Sequence, residues 1–228
     1  VGAKVLFDAA HLCGMIAGKV WPQPLVEGAH LMTFSTYKSL GGPAGGLIVT
    51  NDDAISQKLD AIAYPGLTAN FDAAKTAALG VTLQDWKAVG ADYAQMMVKT
   101  SQALAQNLQN RGVNIYAADK GLTTSHQFAI LAAPYGGGQT AAKRMGSAGL
   151  LACGIGLPIA AFEGDLNGLR IGTPEIVRLG MKVEHMDQLA DFIARSLDSA
   201  SDSASIQREV TEWRKQFSGV HYTVDLPN

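Results

Sequence analysis

With 228 residues, 18 basic and 20 acidic, the chain is long enough for one large or two smaller domains and carries a net charge of only −2. No stretch gathers like charges into a run, so neither nucleic acid nor an anionic membrane surface is expected as a partner. Two cysteines, Cys13 and Cys153, stand far apart in apolar surroundings without a His cluster, which argues against a disulfide framework or metal site and fits a reducing cytoplasm.

Val1 to Phe7 lacks an initiator Met and runs straight into an apolar segment, so it reads as a boundary inside a longer protein. Val5 to Phe7 ends at Asp8 and His30 to Ser35 ends just before Lys38; both are predicted as short buried strands that deliver polar residues at their carboxyl ends. Gly45 to Thr50 is predicted as a third strand, and Asn51, Asp52 and Asp53 as N-cap chemistry for a helix to about Tyr64. From Asp72 to about Gln109 apolar residues recur at helical spacing (Leu79, Leu83, Trp86, Tyr93, Met97, Leu104), and Arg111-Gly112 supplies the stop.

Beyond that helix the order becomes α+β. Strands are predicted at Val113 to Tyr116, His126 to Ala132 and Gly168 to Gly172, with helices at Thr140 to Ala148 and Glu184 to Leu197. The Ser-rich stretch from Asp198 to Ser205 reads as a hinge before a last amphipathic helix, Ile206 to Phe217. The chain thus divides into part of an α/β domain with a mostly parallel sheet, residues 1–90, and a C-terminal α+β domain, residues 91–228. Apolar runs such as Leu150 to Ile159 are too short, and too broken by Gly and Pro, to span a bilayer.

Three places carry chemistry. Asp8-Ala9-Ala10-His11 sets a carboxylate and an imidazole just after a buried strand; the Asp either caps the turn or meets a cation such as a pyridinium nitrogen. Ser35-Thr36-Tyr37-Lys38, followed by the turn Gly41-Gly42-Pro43-Ala44-Gly45-Gly46, brings a lysine to a strand end. Such a lysine is either a solvated surface group or a partly buried amine suited to imine formation. Arg170, within Asn167-Gly168-Leu169-Arg170-Ile171-Gly172-Thr173-Pro174, either completes a buried ion pair or clamps a ligand carboxylate through its planar fork.

In order and spacing these segments resemble the serine hydroxymethyltransferase family of fold type I pyridoxal-phosphate (PLP) enzymes. In that family Asp-x-x-His is followed by Thr-His-Lys with a Gly-Pro-Arg-Gly-Gly turn and, much later, by Arg-Ile-Gly-Thr-Pro. The resemblance is collinear over the whole chain and includes Tyr64-Pro65-Gly66 and Thr124-Ser125-His126-Gln127. It implies that Lys38 holds the cofactor as an imine, that Asp8 keeps the ring nitrogen protonated, that His11 lies beside the ring, and that Ser35 and Thr36 place hydroxyls near the imine. It further implies that Arg170 binds the substrate carboxylate. The chain would then be the C-terminal half of an enzyme that makes or breaks the Cα–Cβ bond of serine or a related β-hydroxy amino acid, with tetrahydrofolate as the family's co-substrate. Its active site would be completed by an N-terminal half and by a homodimer or tetramer, leaving this chain inactive alone.

Several positions depart from the family pattern. Tyr37 replaces a His, Ala44 replaces the Arg of the Gly-rich turn, Leu67-Thr68-Ala69-Asn70 stands for Gln-Gly-Gly-Pro, and Gly154 to Pro158 replaces an Asn-rich loop on the pterin side. These changes spare the lysine machinery and weaken the expectation of folate use, which brings in an α-methylserine enzyme or a folate-independent aldolase or transaldolase. An aminotransferase or decarboxylase would share the Asp and the Lys without needing the Arg170 segment. A truncated, inactive homologue serving as a dimerisation partner is the non-enzymatic alternative.

Overall fold

The computed structural model describes residues 1–224. Contacts divide the chain into two compact units, Val1–Gln95 with the stretch from Tyr222, and Met96–His221. The sequence reading set its division at 90/91, and the end of its second domain, residues 225–228, lies outside the described residues.

In the first unit β1 (Leu6–Asp8), α1 (Cys13–Ala17), β2 (Leu31–Ser35), β3 (Gly46–Val49) and α2 (Asp53–Ala61) follow one another. The strands form a sheet of order β1-β2-β3, with β1 parallel to β2 and β3 antiparallel to β2. The register sets Asp8 opposite Thr33 and Ser35 opposite Gly46, so the carboxyl ends of the parallel pair open at the same edge. Ala9, Ile16 and Met32 form the buried centre, with Phe7, Trp21, Phe34 and Val49 packed on it.

Asp52 caps α2 as expected, accepting from the Ala54 and Ile55 amides at 2.9 and 3.1 Å. The regular helix stops at Ala61 rather than near Tyr64. Pro65 forces the preceding Tyr64 into an extended conformation (φ −144°, ψ 126°) that no α-helix accommodates. The 38-residue α3 (Ala73–Asn110) then runs through the division between the units, opened by Asp72, whose side chain accepts the Lys75 amide at 2.9 Å.

The second unit contains β4 (Gln127–Leu131), α4 (Gly138–Ser147), β5 (Cys153–Ile155), β6 (Gly168–Gly172), α5 (Pro174–Arg178), α6 (Met186–Leu197) and α7 (Ser203–Arg214). Its antiparallel sheet has the order β4-β6-β5. Leu104, Leu108, Ile130, Met145, Leu169, Met186 and Leu197 are among its buried core. On α6 the buried Met186, Leu189, Ala190, Ile193 and Leu197 recur at helical spacing and face that core.

Two expectations are corrected here. Val113 to Tyr116 is not a strand: Ile115 makes a single bridge to Ile130, and Ala117, in the left-handed region at φ 53°, turns the chain away before a ladder can extend. The Ser-rich stretch is not a hinge as far as Ser205. The Asp202 side chain accepts the Ala204 amide at 3.0 Å and starts α7 at Ser203, which ends at Arg214 rather than Phe217.

Candidate active site

The carboxyl edge of the β1–β2 pair gathers the first group of expected residues. Asp8 closes β1, and its Oδ1 accepts the Ala10 amide at 2.9 Å, which folds the turn that carries His11. The Asp8 Oδ2 has no partner among the described residues. Lys38 lies beyond the end of β2, half-buried, and its Nζ stands 3.3 Å from His11 Nε2. No carboxylate among the described residues pairs with this amine. Lysine usually meets water or an acid, so an amine set against an imidazole in a half-buried loop stands out as a candidate for imine formation.

The loop bearing Lys38 is held from several sides. Thr36, 2% exposed, donates its hydroxyl to the Pro43 carbonyl at 2.5 Å, and the Thr36 and Gly42 amides bond Gly45 and Thr36 carbonyls at 3.0 and 2.8 Å. The hydroxyl proton of Thr36 therefore closes the Gly-Pro turn. Ser35 is half-buried at the end of β2, where its carbonyl accepts the Cys13 thiol at 3.3 Å. Trp86 Nε1 donates to the Leu40 carbonyl at 2.7 Å from α3. Ser39 Oγ donates to the His11 carbonyl at 2.7 Å and accepts the Gly14 amide at 2.9 Å.

Cys13, Gly14, Ser39 and Trp86 were not read from the sequence as parts of the site. Only Gly14 left a trace: an alanine Cβ there would lie 2.4 Å from the Ser39 carbonyl oxygen, so that close approach demands glycine.

Arg170 belongs to the second unit, in the middle of β6 between Ala129 of β4 and Cys153 of β5. Leu169 and Ile171 on either side turn into the core, so Arg170 stands on the opposite face of the sheet, half-buried and without a carboxylate partner among the described residues. The end of its strand is fixed by Thr173, fully buried, whose hydroxyl donates to the Met97 carbonyl at 2.8 Å.

The residues of the first unit fit the cofactor that the family resemblance implies. They offer an amine to bond an aldehyde, an imidazole in contact with that amine, and a carboxylate with one oxygen unspent for a cationic ring nitrogen. No described helix is long and apolar enough to cross a membrane.

The fold is that of part of a fold type I enzyme. A solved structure of the L-threonine transaldolase from Pseudomonas fluorescens, described as in its internal aldimine state, superposes with a TM-score of 0.85. At 24% identity the match covers 97% of this chain and 51% of that one. The serine hydroxymethyltransferase family profile matches residues 1–193, and the chain belongs to that family. Similar relatives include α-methylserine aldolases from Variovorax paradoxus, 61% identical over 98% of this chain, and from Ralstonia sp, 57% identical over 97%. The serine hydroxymethyltransferase of Sulfolobus acidocaldarius is 38% identical over 99% of this chain. The chain spans about half the length of the curated relatives it matches, between 50% and 53% for these three.

Proposed function

We propose that this chain is the lysine-bearing half of a PLP enzyme that cleaves the Cα–Cβ bond of a β-hydroxy amino acid, with α-methylserine as substrate and formaldehyde as the fragment released. The observation that carries the reading is the Lys38 amine 3.3 Å from the His11 imidazole, on a turn opened by the Asp8 carboxylate at the edge of a parallel strand pair.

The cofactor, when bound, supplies a sink for the electron pair left on the α-carbon as the bond breaks. Around it the chain's own residues divide the work. Asp8 offers its free oxygen to a ring N–H, which keeps that nitrogen cationic. Lys38 carries the cofactor until the amino acid takes its place, and His11 holds or accepts a proton at the Lys38 nitrogen. Arg170, without a carboxylate partner among the described residues, grips the substrate carboxylate with two parallel N–H donors and so fixes which bond at the α-carbon is aligned for cleavage.

α-Methylserine has no hydrogen on its α-carbon, which closes every route that begins by removing one. Loss of the β-hydroxyl proton with rupture of Cα–Cβ releases formaldehyde, and protonation of the α-carbon then gives alanine. Two observations favour this substrate over serine with folate: the 61% and 57% identities to α-methylserine aldolases against 38% to a serine hydroxymethyltransferase, and the departures at 67–70 and 154–158. Formaldehyde leaves free in this chemistry, so tetrahydrofolate is not required.

The group that removes the β-hydroxyl proton is assigned to the N-terminal half of the same protein, and the whole protein to a homodimer or tetramer. Leu6, 53% exposed on the edge strand β1, is an apolar surface such a partner would cover. Cys13 and Cys153 are both free thiols, in keeping with a reducing compartment such as the cytoplasm.

The test uses the full-length protein loaded with PLP. Borohydride reduction and peptide mapping are expected to put the pyridoxyl group on Lys38, and α-methylserine to yield alanine and formaldehyde without folate. A label on another lysine refutes the site; turnover of serine alone, and only with tetrahydrofolate, refutes the substrate.

A further inference from the structure

Two consecutive residues of one loop both reach His11. Lys38 touches its ring, Nζ to Nε2 at 3.3 Å, and Ser39 bonds its main chain, Oγ to the carbonyl at 2.7 Å. Ser39 is 2% exposed, and its oxygen also accepts the Gly14 amide at 2.9 Å and lies 3.4 Å from the Cys13 sulfur. One hydroxyl thus joins the residue after the lysine to both sides of the turn that opens α1. The Ser39 oxygen and the Gly14 amide are buried, where a lost bond has no ready water substitute, so the hydroxyl sets the separation of two loops that are remote in sequence.

We propose that Ser39 is a positioning residue: it holds the Lys38 amine against the His11 imidazole and so sets the protonation of the lysine nitrogen once the cofactor is attached, an inference that rests on the proposed PLP role of Lys38. The argument is geometric. Lys38 has a long flexible side chain, and nothing else among the described residues fixes its amine. Only a fixed backbone can keep Nζ at hydrogen-bond distance from a ring carried by another loop. Without the Ser39 hydroxyl the His11 carbonyl and the Gly14 amide both lose their buried partner, the loops part, and the amine exchanges imidazole for water.

The experiment follows the visible absorbance of the bound cofactor against pH in the full-length holoenzyme, for the parent, Ser39→Ala, His11→Ala and the double variant. A hydrogen bond to a charged group is worth enough to move the midpoint of Ser39→Ala by about one pH unit. The decisive result is the double variant: Ser39→Ala should cause little further shift once the imidazole is gone, because it acts through that ring. A merely structural role would leave the Ser39→Ala midpoint at the parent's value, or would give the same shift with and without His11; either overturns the proposal. Should Ser39→Ala fail to fold, Ser39→Cys, similar in size with a weaker donor, is expected to shift the midpoint in the same way, and a midpoint like the parent's overturns the proposal. If the parent shows no cofactor absorbance, the proposed function itself fails, an outcome distinct from a normal parent spectrum with an unshifted variant.

Discussion

Gly14→Ala probes the Lys38 loop from the other side, without touching any group that meets substrate. A Cβ built on Gly14 falls 2.4 Å from the Ser39 carbonyl oxygen and 2.7 Å from its carbon, whereas ordinary contacts begin at 3.4 Å. The difference, 3.4 − 2.4, requires a retreat of about 1 Å, and the obstacle is backbone rather than the end of a flexible side chain. That retreat pulls on the Ser39 bonds to Gly14 and His11 and carries Lys38, the residue before, away from its ring. A misplacement of about 1 Å costs on the order of 100-fold in rate when the displaced group must meet reacting atoms. In steady-state assays of the full-length enzyme with α-methylserine, kcat is expected to fall by that order while the protein still binds its cofactor. Turnover at the parent's rate would show that the loop absorbs the methyl elsewhere and that the contact does not position Lys38.

Strand ends that deliver chemistry were readable because an apolar run followed by one polar residue is a local pattern: β2 ends at Ser35 and β6 spans Gly168–Gly172 as expected. β5 was not. Cys153–Ile155, with Gly154 inside it and Gly156-Leu157-Pro158 following, reads as loop, and it is a strand only because β6 offers partners, Cys153 opposite Arg170 and Ile155 opposite Gly168. α1 was missed for a related reason: it has five residues and no side-chain cap at Leu12. In the proposed site, Asp8, His11 and Lys38 could be named from type and order. The grip on the lysine loop could not, since Ser39 lies 28 residues from His11 and Trp86 lies 46 from Leu40, and no periodicity records such pairs.

Three further outcomes follow from the same contacts. Trp86→Phe removes the donor to the Leu40 carbonyl, whose residue is 2% exposed; leaving that acceptor without a partner should cost about 1–3 kcal/mol in a urea unfolding curve. Asp165 accepts the Gln139 and Thr140 amides at 2.9 Å at the start of α4, which holds its carboxyl far below the usual range. A depressed native pKa stabilises above the unfolded value of about 3.9 and is lost as pH falls through the folded one, so the acid-side decline in thermal midpoint should be shallower in Asp165→Asn. Arg170→Lys keeps the charge on β6 but replaces a planar two-donor fork with a point charge, and one lost charged hydrogen bond is worth about 1.5–3 kcal/mol. The KM for α-methylserine should therefore rise by about tenfold or more, while Lys38 and the visible spectrum of the holoenzyme stay as in the parent. A variant with the parent's KM would remove Arg170 from the carboxylate site, and one with an altered resting spectrum would show that the arginine acts on the cofactor instead.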